Sequence, residues 1–221
     1  MKKIPLLIEL IGEEGVGKTH TGLLFPNPIL LDCTEQGEGK IIAMKLFPDD
    51  WEKRYKHIDD YKELLEIPDG FATYVLDTSK GLVKLMGDKW CAKYKKQRVY
   101  PPMAYGEVHN MIDRLVRDIM SKQANVVMTS VFRDEYVDDK KTGIRERDGY
   151  KRLRFESWLR LHIRIVKTEF QADKRVYTVI KNRFVDKLSD DFVSEIKDFS
   201  FNKLIEITFE KAGFDRSLVV M

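Results

Sequence analysis

The chain has 221 residues, 34% of them charged and 43% hydrophobic, with a net charge of +3. That length fits one domain, spanning 1–221, with a large buried core. The near-balance of charge neither demands nor excludes a polyanionic partner. Two cysteines, Cys33 and Cys91, argue against a disulfide framework and favour a reducing, cytoplasmic compartment.

Met1-Lys2-Lys3 before apolar residues imitates a signal peptide. Glu9 interrupts the run, no small-residue cleavage site follows, and a glycine-rich motif begins at once, so Ile4–Ile11 reads as a first core strand. No stretch approaches the ~20 apolar residues of a membrane span, and no membrane contact is expected. Thr19–Phe25 can start a helix, cut short by Pro26 and Pro28. Ile29-Leu30-Leu31 is a second apolar run, and Gln36–Lys40 a polar loop. Ile41–Phe47 and Tyr61–Ile67 read as helices stopped by Pro48 and Pro68.

Ala72–Leu76 reads as a buried strand closed by Asp77. Lys80–Arg98 has helical spacing and a basic end, and Tyr105–Lys122 carries Val108, Ile112, Leu115, Val116 and Ile119 on one face. Asn125–Val131 is a third buried strand after the first. Residues 133–154 are charged, with turn signals at Thr142-Gly143 and Asp148-Gly149, and predict a long hairpin or mobile loop. Trp158–Val166 and Val176–Ile180 alternate as paired strands do, and Phe199–Ala212 reads as a closing helix. The order predicts an α/β fold, a mostly parallel central sheet flanked by helices with an antiparallel hairpin extension.

Residues 12–19 read Gly12-Glu13-Glu14-Gly15-Val16-Gly17-Lys18-Thr19, the phosphate-loop pattern G-x-x-x-x-G-K-[ST]. The glycines allow close approach of backbone amides to phosphate, Lys18 can reach the β and γ phosphates, and the Thr19 hydroxyl can ligate Mg²⁺. His20 extends the segment. A nucleoside triphosphate and Mg²⁺ are therefore the expected ligands. Asp77 at a strand end suits the second Mg²⁺ position, or the N-cap of the helix that follows. Glu35 can orient an attacking water or be a solvated loop acid, with Glu38 as a competitor. Lys181 and Arg183 point the same way on a strand, to grip phosphate on a neighbouring subunit or to guard a sheet edge. Ser130 is placed to sense the γ-phosphate or to be a plain core-edge serine. His57, Cys91 and His109 lack ligand spacing, so no structural zinc is expected.

These segments resemble the RecA/RadA superfamily of ATPases, above all the short phage- and archaeal-virus-type members. The likeness lies in the loop 12–19, in Phe25-Pro26-Asn27-Pro28 followed by a strand and the acidic turn Asp32–Gly37, in Tyr74-Val75-Leu76-Asp77-Thr78, and in Lys181-Asn182-Arg183-Phe184. It runs over roughly residues 4 to 184. It implies that Glu35 is the catalytic glutamate, with one extra residue after the strand. It implies that Lys181 and Arg183 act in trans, so the active form is a homo-oligomer, a ring or a filament. Ser130 stands where relatives often have Gln or His.

The resemblance also implies action on single-stranded DNA in viral recombination or replication, in the host cytoplasm if the chain is viral. Candidate DNA contacts are Lys93, Lys95, Lys96 and Arg98 with Tyr94 and Tyr100, and Arg145, Arg147, Lys151, Arg152 and Arg154 with Tyr150. Cations would hold phosphates and tyrosines would stack bases. Ordinary solvated charge is the competing reading, and acids dilute the second cluster. Two other functions stay open. One is a small-molecule kinase with residues 145–154 as an arginine-rich lid. The other is a non-catalytic scaffold or loader switched by nucleotide.

Overall fold

The computed structural model describes residues 3–94, 102–137, 140–168, 171–185 and 195–221. Among the described residues nine strands form one sheet: β1 (Leu7–Gly12), β2 (Pro28–Asp32), β3 (Tyr55–His57), β4 (Thr73–Asp77), β5 (Asn125–Val137), β6 (Lys140–Arg147), β7 (Leu159–Thr168), β8 (Gln171–Asn182) and β9 (Glu195–Ile196). Their order is β3-β2-β4-β5-β1-β7-β8-β9, with β6 paired to β5 outside this path. From β3 to β7 every pairing is parallel, whereas β7–β8, β8–β9 and β5–β6 are antiparallel. The expected parallel core with antiparallel additions is what the chain forms.

Burial explains the strand sequences. Every residue of β1, β2 and β4 is buried, as expected where both sheet faces are covered and strands read as continuous apolar runs. Glu9, which breaks the apolar run of β1, is fully buried and receives a 2.6 Å hydrogen bond from Nε of Arg160 on β7. A buried carboxylate is tolerated when a guanidinium pairs with it.

One core layer lies under α4 (Ser79–Tyr94) and α5 (Tyr105–Ser121), where Leu82, Trp90, Val108 and Ile112 meet Leu31, Leu76 and Met128. The other lies under α1 (Lys18–Gly22), α2 (Gly39–Leu46) and α7 (Phe201–Ile205), where Leu23, Phe25, Leu204 and Phe209 meet Ile8, Leu10 and Val127.

Several elements differ from expectation. Tyr61–Leu65 winds as a tighter 3-10 helix, capped by Asp60, whose side chain accepts from the Lys62 amide. The closing helix is α-helical only over Phe201–Ile205 and widens to a π-turn at Glu206–Glu210, with the Thr208 hydroxyl bonded back to the Leu204 carbonyl at 2.6 Å. Residues 133–137 and 140–147, by contrast, pair as the expected long hairpin does, the far part of β5 antiparallel to β6. The short α3 (Trp51–Arg54), β3, α6 (Leu153–Glu156) and β9 are additional, each four residues or fewer. No helix among the described residues is long and apolar enough to cross a membrane.

Candidate functional site

Strand β1 ends at Gly12, and the chain turns through Gly15 and Gly17, whose φ angles of 75° and 91° favour glycine. The Gly17 carbonyl closes the loop by accepting from the Thr21 amide and the Thr21 hydroxyl, both at 2.9 Å. Lys18 is 7% exposed, and its ammonium donates to the carbonyls of Gly12 at 3.1 Å and Glu13 at 2.5 Å. It therefore lies folded along its own loop. Burial pulls its pKa down, opposed by Asp77, Glu14 and Glu13. The side chain of Val16 is in the core, so what it offers a phosphate is a backbone amide.

Beside the loop, the Thr19 hydroxyl donates to Oδ2 of Asp77 at 2.6 Å. The other oxygen, Oδ1, accepts from the Thr129 hydroxyl. Asp77 is 5% exposed, and burial raises its pKa against the pull of those two donors. This is possible because β5 lies between β1 and β4, so two adjacent strand crossings bring the loop and the carboxylate together. A hydroxyl and a carboxylate oxygen in contact suit a hard cation such as Mg²⁺. Thr19 and Asp77 are the residues that would hold it.

The same cleft, about 530 Å³, is lined by Glu14, Gly15, Lys18, Thr19, Glu35 and Asp77, among others. Glu35 thus shares a cavity with the loop. Its side chain is 79% exposed, and Lys84 on α4 donates to it at 2.5 Å, which lowers its pKa. Lys80, also lining the cleft, pairs with Asp148 at 3.0 Å. Asp32, at the end of β2, carries no expected role, yet it organises the acidic turn. It is fully buried and accepts from the Thr34 amide at 3.0 Å, the Thr34 hydroxyl at 2.6 Å and the Gly39 amide at 2.9 Å. A carboxylate ending an apolar strand just before a glycine-bearing turn is the signal that could have revealed it.

Ser130 is not brought into that cleft. Its hydroxyl faces Ser79 at 3.1 Å and is fully buried. Strand alternation puts Thr129 on the carboxylate side and Ser130 on the other. Lys181 and Arg183 also lie away from their own loop. Arg160 on β7 pairs with Glu9 on one side and Lys181 on the other, and the Arg183 amide bonds to the Trp158 carbonyl near Leu7. Arg183 is thus roughly 16 Å along the strand direction from Gly12. Both side chains converge on α6. Lys181 donates to the carbonyls of Arg154 at 3.0 Å and Phe155 at 2.9 Å, and Arg183 donates to Phe155 as well. Burial, Arg183 and Arg160 bring the Lys181 pKa down to about 8.

Of the DNA candidates, Lys95, Lys96, Arg98 and Tyr100 lie outside the described residues, as do the side chains of Arg145 and Arg147. Lys93 lies in the last turn of α4, its ammonium 4.8 Å from the ring centre of Tyr94. Tyr150 cannot stack on a base. It is 1% exposed, bonded to Asp113 and set edge-on to His109. Arg152 is held by Asp113 and Asn110, each at 2.7 Å. No cluster of three or more His, Cys, Asp or Glu side chains suited to a metal occurs among the described residues.

A phosphate loop after β1, a carboxylate ending β4 and a single strand between them are the arrangement of the RecA-like P-loop fold, and this chain has that fold. A family model described as an AAA domain, AAA_24, matches residues 5–187, and the chain belongs to that family. Among solved structures it is similar to a KaiC-like protein of the hyperthermophilic archaeon Pyrococcus horikoshii OT3, with a TM-score of 0.52 and 13% identity over 88% of this chain and 91% of the other. It is also similar to the flagellar accessory protein FlaH of Methanocaldococcus jannaschii, with a TM-score of 0.46 and 12% identity over 81% and 80%. The first likeness establishes the fold alone. No curated protein matches the chain.

Proposed function

We propose that the chain hydrolyses ATP in a homo-oligomer, as a ring or filament acting on single-stranded DNA in viral recombination or replication. The observation that carries the ATPase reading is the meeting of Lys18, Thr19, Asp77 and Glu35 in one cleft. Amides of residues 12–19 bind the phosphates, and Lys18 swings from its carbonyl contacts to the β and γ oxygens. Thr19 and Asp77 would hold Mg²⁺, which would supply charge neutralisation at the phosphates. Glu35, released from Lys84, orients the attacking water.

Lys181 and Arg183 complete the site of a neighbour. Their position near the start of β1 supports this, since a pair so far from its own loop is of use to phosphate only in trans. A second reading, a nucleotide-switched scaffold without turnover, is favoured by the Glu35–Lys84 ion pair, which occupies the carboxylate.

The test is ATP turnover with and without single-stranded DNA, for wild type and Lys18→Ala. DNA-stimulated turnover lost in the variant is expected. Tight ATP binding without turnover would leave the scaffold, and rates equal in both proteins would end the ATPase reading.

A further inference from the structure

We propose that Arg175 is a nucleotide-binding residue acting in cis, contacting the α- and β-phosphate side of the bound nucleotide on the flank of the loop opposite the metal cleft. The inference rests on the nucleotide site proposed above.

The placement follows from strand direction. β8 runs antiparallel to β7, so its first half returns to the end of the sheet where β1 delivers the loop. Arg175 stands opposite Ile165, just past Ile163, whose carbonyl lies against Gly12. From there the guanidinium lies on Gly17. A Cβ built on Gly17 would sit 2.8 Å from both Cζ and Nε of Arg175 and 3.1 Å from Nη2. Gly17 has a positive φ, so the loop needs glycine here both for its backbone and for the arginine above it.

The chemistry of this flank asks for an anion. Arg175 is exposed, and no hydrogen bond or ion pair joins its guanidinium to another described residue. Nδ1 of His20 next to it is buried without a hydrogen-bond partner. Burial and the Arg175 charge both push the His20 imidazole toward its neutral form, so a second cation is disfavoured there. The opposite flank of the loop carries Thr19, Asp77 and Glu35, the groups suited to metal and the γ-phosphate. A triphosphate laid along the loop with its γ end in that cleft presents its α and β oxygens on the His20 and Arg175 side. A guanidinium is well matched to phosphate oxygens.

The experiment measures dissociation constants of the full chain for fluorescent ATP and ADP analogues with Mg²⁺, for wild type, Arg175→Ala and Arg175→Lys. Far-UV circular dichroism confirms that the variants are folded. Arg175→Ala is expected to weaken ATP and ADP alike by about ten- to a hundredfold, and Arg175→Lys by less. Wild-type binding with no change in Arg175→Ala would overturn the inference and leave the nucleotide site standing. Loss of ATP affinity with ADP unchanged would also overturn it, because the contact would then be with the γ-phosphate. Failure of the wild type to bind either analogue would instead remove the nucleotide site itself.

Discussion

Thr19 and Asp77, 58 residues apart, meet at 2.6 Å where the phosphate loop crosses the end of β4. The hydroxyl is an intramolecular donor here, and the carboxylate is held on its other side by Thr129. Such a pair is set in place by the sheet before any ligand arrives. Its two oxygens need only exchange a hydrogen bond for a cation.

This gives the first expectation. Asp77→Asn conserves volume and removes the charge that burial disfavours, so the fold should survive. ATP affinity measured with Mg²⁺ should fall by about tenfold or more, while affinity measured with a chelator should be nearly unchanged. Equal losses under both conditions would mean that Asp77 supports the loop rather than a metal.

Asp32 carries the second. Its carboxylate holds both ends of the turn that presents Glu35. Asp32→Ala leaves four donors, the amides of Thr34 and Gly39 and the hydroxyls of Thr34 and Tyr55, without their acceptor and should cost about 3 kcal/mol in urea unfolding. Glu35→Ala, at an exposed position, should stay within about 0.5 kcal/mol of wild type while abolishing turnover. If both variants are equally stable, Asp32 does not pin the turn.

The contrast between these two acids shows what the sequence discloses. The loop 12–19 and the strand ending in Asp77 are legible because their residue types and spacing are dictated by phosphate and metal chemistry. The core strands are legible because continuous apolar runs mark burial on both faces. Asp32 is not legible because its partners are two backbone amides and two hydroxyls, one of them on the distant Tyr55, and backbone amides leave no trace in composition. The face that Ser130 and Thr129 each take is not legible, because strand alternation fixes faces only once the register is known, and Ser130 pairs with Ile11 in a parallel ladder that no local pattern specifies. Arg175 was missed for the same reason. Its approach to Gly17 depends on the antiparallel return of β8, a tertiary fact. The three- and four-residue elements are too short to show a period.

The second arginine cluster yields a third expectation. Tyr150 places its hydroxyl on Asp113 beneath α5, with Arg152 on the same carboxylate. Tyr150→Phe should therefore destabilise the chain by about 1–2 kcal/mol, the cost of leaving a largely buried acceptor, 16% exposed, short of one donor. Affinity for single-stranded DNA, measured by anisotropy, should not change. A loss of DNA affinity at full stability would place the ring in a binding surface instead.

The last expectation concerns Lys181. Its pKa lies at about 8, below the ordinary lysine value, because burial and the charges of Arg183 and Arg160 outweigh Glu9 and Glu156. Below that pH the side chain is an ammonium bonded to the carbonyls of Arg154 and Phe155. Above it the neutral amine predominates in the folded chain, while an unfolded lysine stays protonated to about 10.4. The folded state then binds fewer protons than the unfolded one, so this residue's contribution to stability should rise with pH across that interval. The service to a neighbour's phosphates proposed for it would need the charge and should run the other way. Turnover of the assembled protein should decline as pH passes about 8, and in Lys181→Arg, which stays charged, that limb of the profile should flatten. Identical profiles for wild type and Lys181→Arg would take Lys181 out of the reaction and leave it as the cap of α6.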